Sequence, residues 1–283
     1  MSIVHDLKTE RFIRHILTNS FACFGVAALF LQTSNVLFPK FTLLQGMPIL
    51  IGVIVLSAAG GLILSWPRPI TQQYNAPNTR ITIVKGDFLD EKNHLVIGTV
   101  DTFDTKTPVI IANGSLQGQA LQRLYGGDLH DLDKDLDAAL ANKVVTGTIQ
   151  KPGKQDKYGI GAIATVKQAA RLVFFLAYCE MDNNNVASST PDKFWLSLSM
   201  LWDEITLRAN GGTVSIPVIG GGQARLSNVM PAQDAIRFTL LSFMFASRKL
   251  KICDELRVIV RPEDYDKMDR LELQSFLSSL RAS

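Results

Sequence analysis

The sequence is poor in the residues that usually announce chemistry. It has three cysteines, Cys23, Cys179 and Cys253, far apart and with no C-x-x-C pair. That argues against a disulfide framework or a thiolate zinc site and suits a reducing compartment. The four histidines, His5, His15, His94 and His130, stand at no metal-ligand spacing. They read as solvated or locally bonded side chains, and no metal is expected. An excess of one charge is missing too. Lys+Arg 29 against Asp+Glu 26 leaves a net charge of +3, too mild to argue for nucleic acid or an acidic partner. No G-x-x-x-x-G-K-[S/T] phosphate loop occurs.

Charge itself is absent from two stretches, Ile16 to Phe38 and Phe41 to Trp66. The second is the cleaner. Leu43 to Leu64 covers about 22 residues, which as a helix is roughly 33 Å, enough to cross a hydrocarbon core. Gly46, Pro48, Gly52, Gly60 and Gly61 within it are better tolerated in membrane helices than in soluble ones, and Pro67 and Pro69 stop it. A buried core helix is the rival reading, but such helices seldom run this long without a charge. The first stretch is apolar from Phe21 to Leu31 and then meets Gln32, Thr33, Ser34 and Asn35. Those side chains suit a helix–helix contact or a water-lined path better than lipid. A cleaved signal peptide fits poorly, because a second span follows so closely.

The expected organisation is a transmembrane hairpin over residues 1–66, with spans at about 16–38 and 43–65, a proline-containing linker at 67–79, and a soluble domain over 80–283. Lys8, Arg11 and Arg14 precede the first span, Arg68, Arg80 and Lys85 follow the second, and the turn near Pro39 has only Lys40. The bias of positive residues toward the cytoplasm then puts both termini and the soluble domain inside. Small residues at helical spacing, such as Ser57 and Gly61, suit close helix packing.

Beyond Thr79 the pattern is that of an ordinary globular α/β sequence. Strands are expected at Arg80 to Lys85, His94 to Val100, Tyr158 to Val166, Leu172 to Tyr178, Thr213 to Ile219 and Glu255 to Val260. Helices are expected at Leu116 to Tyr125, Leu129 to Leu140, from Thr190–Pro191 onward, Val229 to Arg248 and Met268 to Arg281. The stripe Phe194, Leu198, Leu201, Trp202 and Ile205 reads as core packing. The interleaving implies a sheet covered by helices on both faces.

Three glycine-bearing segments are candidate site elements. In Ser215 to Arg225, SIPVIGGGQAR, an apolar strand runs into Gly220, Gly221 and Gly222, whose N–H groups suit a phosphate cradle, with Gln223 and Arg225 following. A flexible turn is the equal alternative, and the stretch opens no dinucleotide fingerprint. In Asn113 to Gln119, NGSLQGQ, Ser115, Leu116, Gln117, Gly118 and Gln119 open a helix whose N-terminus favours an anion. Gly86-Asp87-Phe88 closes the first strand, where Asp87 is either an acceptor for an exocyclic amine or part of a turn.

The order of these segments resembles the macro domain, the fold that binds ADP-ribose, from about Arg80 to the C-terminus. The resemblance gives Asp87 the role of holding adenine, with Phe88 beside it. It maps the family's two diphosphate loops onto Ser115 to Gln119 and Gly220 to Gln223. It also shows a departure. Where hydrolytic macro domains carry an asparagine-rich segment, this chain has GTVDTFDT, Gly98 to Thr105. Asp101 and Asp104 there are either paired acid and base, or surface and capping aspartates, the commoner case.

With GTVDTFDT and SLQGQALQRLYGG behind two membrane helices, the chain resembles the ThsA membrane effectors of type II Thoeris anti-phage defence. The resemblance implies a multi-pass protein of the bacterial inner membrane that is not an enzyme and needs no cofactor. A partner TIR-domain protein supplies, through its product, histidine–ADP-ribose or a related ADP-ribose derivative. Binding drives self-association and membrane disruption. Membrane lipid is the other partner, and no nucleic acid is expected. The alternatives are a membrane-tethered ADP-ribosyl hydrolase using Asp101 or Asp104 as base, and an anchored scaffold that binds no nucleotide.

Overall fold

A computed structural model describes residues 10–37, 46–65, 69–220, 226 and 229–280. The chain divides into two compact units, Met1–Arg68 with Asp269–Leu271, and Pro69–Met268 with Glu272–Ser283.

The first unit holds helices α1 (Glu10–Leu37) and α2 (Met47–Leu64). Both are long and apolar enough to cross a membrane. Helix α1 starts earlier than the expected span and carries Arg14 near its beginning. Helix α2 starts later, because Gly46 turns with φ 105° and proline occupies the first helical turn. The two helices meet through small residues. A Cβ on Gly61 would lie 2.0 Å from Ser20 Oγ, and one on Gly60 would lie 3.3 Å from Cys23 Sγ. Asn19 Nδ2 donates to Ser65 Oγ at 3.0 Å. The seam is therefore the small-residue contact expected at Gly61. The polar patch of α1 does not all face α2. Ser34 and Asn35 are half-buried, whereas Gln32 and Thr33 are exposed.

The second unit is a mixed sheet between helices. Its strands are β1 (Ile70–Asn75), β2 (Asn78–Lys85), β3 (His94–Val100), β6 (Ile163–Gln168), β7 (Arg171–Met181), β8 (Ala187–Ser188), β9 (Val214–Pro217) and β10 (Glu255–Val260). A small hairpin, β4 (Gly147–Thr148) with β5 (Asp156–Lys157), stands apart. The sheet order is β1-β2-β10-β9-β3-β7-β6, with β8 on β7. The five inner strands from β2 to β7 are parallel, and β1, β6 and β8 pair antiparallel at the margins.

The inner strands are buried on both faces, so they read as near-continuous apolar runs. Alternation sorts their side chains. Val96, Phe174 and Leu176 point to one core, and Leu95, Ile97, Val173 and Phe175 to the other. Helices α5 (Pro191–Arg208), α6 (Ala232–Lys249) and α8 (Arg270–Ser279) cover the first face. Helices α3 (Leu116–Leu124) and α4 (Leu129–Leu140) cover the second. A short helix, α7 (Pro262–Tyr265), follows β10.

Two expectations need correction. The segment read as a linker at 67–79 contains β1, an edge strand paired with β2 from Ile70↔Ile83 to Asn75↔Asn78. Its side chains alternate buried and exposed, with Ile70, Gln72 and Tyr74 inward. The polar composition hid a half-buried strand. The strand expected at 158–166 begins only at Ile163, because Gly159 and Gly161 take left-handed backbone, φ 83° and 86°, and make a turn.

Candidate functional site

Parallel strands end together, and their carboxyl ends leave a crevice where connections diverge to opposite faces. Here a cleft of about 470 Å³ opens at the ends of β2, β3, β9 and β10, within the size range of small-molecule sites.

The turn after β2 forms one wall. Gly86 N–H donates to Val260 O at 3.0 Å, which tethers the turn to β10. Asp87 then caps the single helical turn Phe88–Asp90, accepting Leu89 N–H at Oδ1, 2.9 Å. Arg123 of α3 donates to Asp87 Oδ2 at 2.6 Å and to Asp90 Oδ1 at 2.5 Å. Desolvation pushes the Asp87 carboxyl up, but the Leu89 N–H and the Arg123 guanidinium outweigh it and hold the group below its ordinary value. Phe88 lines the cleft and packs into the second core. Glu91 anchors the far end of this turn to the sheet through Arg257 Nε at 2.9 Å and Ser215 Oγ at 3.0 Å.

The start of α3 forms the opposite wall. Ser115 Oγ accepts Gly118 N–H at 3.1 Å, an N-cap. Gln117 has both ends of its amide held by the protein. Thr99 Oγ1 donates to its Oε1 at 3.0 Å, and its Nε2 donates to Asp104 O at 2.6 Å. Gln119 Nε2 donates to Gly114 O at 2.9 Å. Ser115, Leu116, Gln117 and Gln119 all line the cleft. Gly118 does not. A Cβ there would sit 2.4 Å from Ala112 O, so its glycine serves the packing of the helix on the preceding turn.

Strand β9 brings Pro217, Val218 and Ile219 to the cleft. Gly220 follows, buried, with φ 107° and a Cβ site 3.1 Å from Leu226. Its left-handed backbone requires glycine. Gly221, Gly222, Gln223 and Arg225 lie outside the described residues.

The floor was not foreseen. Gly98 and Tyr178 belong to it, and the Tyr178 ring lies so close that a Cβ on Gly98 would stand 2.6 Å from its Cε1. A lone glycine inside an apolar strand is the signal that marks such a close approach. The rim was also missed. Arg261, Glu263 and Asp264 follow β10, and Arg261 donates to Asp264 Oδ2 at 2.9 Å. Arg261 is the one cation in the cleft lining among the described residues. The thiol of Cys179, also in the lining, is pushed up to about 12, chiefly by burial, so it stays protonated and inert.

Asp101 and Asp104 are neither surface or capping aspartates nor part of the cleft lining. Both are buried, at 0% and 1% exposure. Asp101 Oδ1 accepts Met181 N–H at 2.9 Å, and Lys157 Nζ stands 3.0 Å from Oδ2. Asp104 Oδ2 takes Lys151 Nζ at 2.6 Å and Thr102 Oγ1 at 2.5 Å, while Oδ1 accepts Lys154 N–H at 2.9 Å. Each carboxylate is thus held by a lysine and a backbone N–H, away from the cleft.

Three segments distant in sequence thus converge on one cleft at the carboxyl ends of parallel strands. Among solved structures, the chain is similar to the Oceanobacillus iheyensis macrodomain with ADP, at 14% identity over 75% of this chain and 99% of that one, with a TM-score of 0.49. It is also similar to the Trypanosoma brucei macrodomain in complex with ADP-ribose, at 12% identity over 75% of this chain and 74% of that one, with a TM-score of 0.48. No curated protein matches it. Residues 81–261, well over half of the chain, match the family described as Thoeris protein ThsA, Macro domain, and the chain belongs to that family.

Proposed function

We propose that the protein is a membrane effector of anti-phage defence whose macro domain binds an ADP-ribose-type signal. The signal is histidine–ADP-ribose or a close derivative, made by a partner TIR-domain protein. Its binding drives self-association and disruption of the membrane through the hairpin. The hairpin occupies residues 1–66 in the bacterial inner membrane, with both termini and the macro domain in the cytoplasm. The ligand domain extends over 80–283, with β1 added at its edge.

One observation carries the reading of the cleft. Asp87 stands at its mouth as an ionised acceptor, half exposed, with a guanidinium behind it. An adenine exocyclic amine needs such an acceptor. The diphosphate then runs toward Ser115 to Gln119 at the start of α3, where backbone N–H groups favour an anion, and toward Gly220 to Gln223. Local pairing lowers the electrostatic cost. Asp87 is matched by Arg123 and Asp264 by Arg261, which leaves Glu263 as the rim carboxylate without a cation beside it among the described residues.

Binding without turnover is the reading favoured by Asp101 and Asp104. Each is held by a lysine and by backbone, and neither reaches the cleft. Titration of the full chain in detergent with histidine–ADP-ribose, followed by calorimetry and by melting temperature, tests the main claim. Binding heat and a raised melting temperature are expected, and neither appearing would overturn it. Release of ADP-ribose from a modified protein, abolished by Asp101→Asn with Asp104→Asn in a folded variant, would return the hydrolase.

A further inference from the structure

We infer that Arg123 is a positioning residue for ligand recognition: it fixes the orientation of the Asp87 carboxylate and joins that turn to the helix that forms the opposite wall of the cleft. The inference rests on the reading of Asp87 as the acceptor for the base.

The two oxygens of Asp87 are held from different directions. Oδ1 accepts Leu89 N–H at 2.9 Å, and Oδ2 accepts Arg123 Nη1 at 2.6 Å. The second arm of the same guanidinium, Nη2, reaches Asp90 Oδ1 at 2.5 Å. A planar fork therefore spans the two carboxylates on either side of one helical turn, and its rigid donors set both. A carboxylate oxygen accepts more than one hydrogen bond, so each Asp87 oxygen keeps a position for a ligand donor. Arg123 is outside the cleft lining and does not touch a ligand there. It sits in the last turn of α3, whose first turn begins at Ser115 in the opposite wall. The helix is thus a strut with one end in each half of the site.

This arrangement does not look like a stability device. The Arg123 side chain is 37% exposed and that of Asp87 50%, and ion pairs so exposed contribute little to folding. The contact also acts electrostatically. It keeps the carboxyl low and the guanidinium high, so both remain charged across the working pH range.

The test compares ADP-ribose with its 6-oxo counterpart, in which hypoxanthine replaces adenine and the exocyclic amine is lost. Both are titrated into the full chain in detergent. Wild type prefers ADP-ribose. Arg123→Gln should weaken ADP-ribose by about threefold to tenfold and leave the 6-oxo ligand unchanged, so that the preference collapses while the melting temperature holds. Arg123→Lys should recover part of the preference, because a point charge replaces the fork. Asp90→Asn should act in the same direction with smaller effect, and it serves if Arg123→Gln does not fold. If wild type binds neither ligand, the reading of the cleft falls. If wild type prefers ADP-ribose and both variants keep its affinity and preference, the positioning role falls.

Discussion

Strands β2 and β3 belong to one sheet, run parallel to each other and each pass into an acidic segment, yet the two segments have opposite fates. After β2, Asp87 and Asp90 stay partly in water and share an arginine at the cleft mouth. After β3, Asp101 and Asp104 sink into the protein and are matched by lysines from the β4–β5 hairpin region. Phe103 between them is fully buried with φ 50°, a left-handed backbone unusual for a bulky residue. Such a conformation persists only where surroundings over-determine it, and the anchors at 101 and 104 do so. The residue type is the same. Burial and the nature of the counter-ion decide whether a carboxylate stays open at the cleft or becomes a structural pin.

That contrast can be broken first at its buried half. Lys151→Met leaves the Asp104 carboxylate buried with its principal cation gone. Breaking a buried pair from one side costs about 3–5 kcal/mol, read as a loss in denaturant unfolding of the full chain. Adding Asp104→Asn should restore part of it, since the uncompensated charge is then removed. A loss under about 1 kcal/mol in the single variant would mean that Asp104 behaves like a surface group, and the contrast would disappear.

The exposed half predicts a smaller effect of a different kind. Asp87→Ala should cost about 1–1.5 kcal/mol of ligand affinity, roughly fivefold to tenfold, from one lost hydrogen bond. The melting temperature without ligand should change little. Calorimetry with ADP-ribose checks the first part and thermal unfolding the second. Wild-type affinity in this variant would remove Asp87 from the site.

The smallest expected effect is a flat pH profile. The folded-state value of Asp87 lies below its ordinary 3.8, so this carboxyl binds a proton less readily in the folded protein than in the unfolded chain. Its contribution to stability is present above 3.8 and is lost as pH falls through the folded value. Between about pH 5 and 8 it remains ionised, and ADP-ribose affinity should not change on its account. A binding midpoint within that window that vanishes in Asp87→Asn would show the carboxyl to be held less firmly than its contacts imply.

Much of the fold is legible in the sequence alone. β3, β10, α4 and the start of α5 fall where alternation, helical spacing and Thr190–Pro191 put them. These signals are local, a few residues long, and need no partner to be read. β1 escaped because ITQQYN is polar on one face and becomes a strand only by pairing with β2. Asp87, Ser115, Leu116, Gln117 and Gln119 line the cleft, and their places beside a strand end and a helix start are visible in the sequence. Gly118 lies outside the lining, and what its glycine answers to, the Ala112 carbonyl, is a contact made by the turn of the chain. Gly98 and Tyr178 went unread because their closeness exists only once β3 and β7 lie side by side.

By itself the sequence determined the two long apolar helices, the alternation of strands and helices, and the glycines that no side chain can replace at a left-handed position such as Gly220. Each of these is a property of hydrophobic periodicity or backbone sterics within a short window. The tertiary structure alone decided which carboxylates are available for binding. Asp104 meets Lys151 across 47 residues of chain, whereas Asp87 meets Arg123 at the edge of an open cleft. The state of a carboxylate depends on what surrounds it in space, and that is set by packing between segments that the sequence keeps far apart.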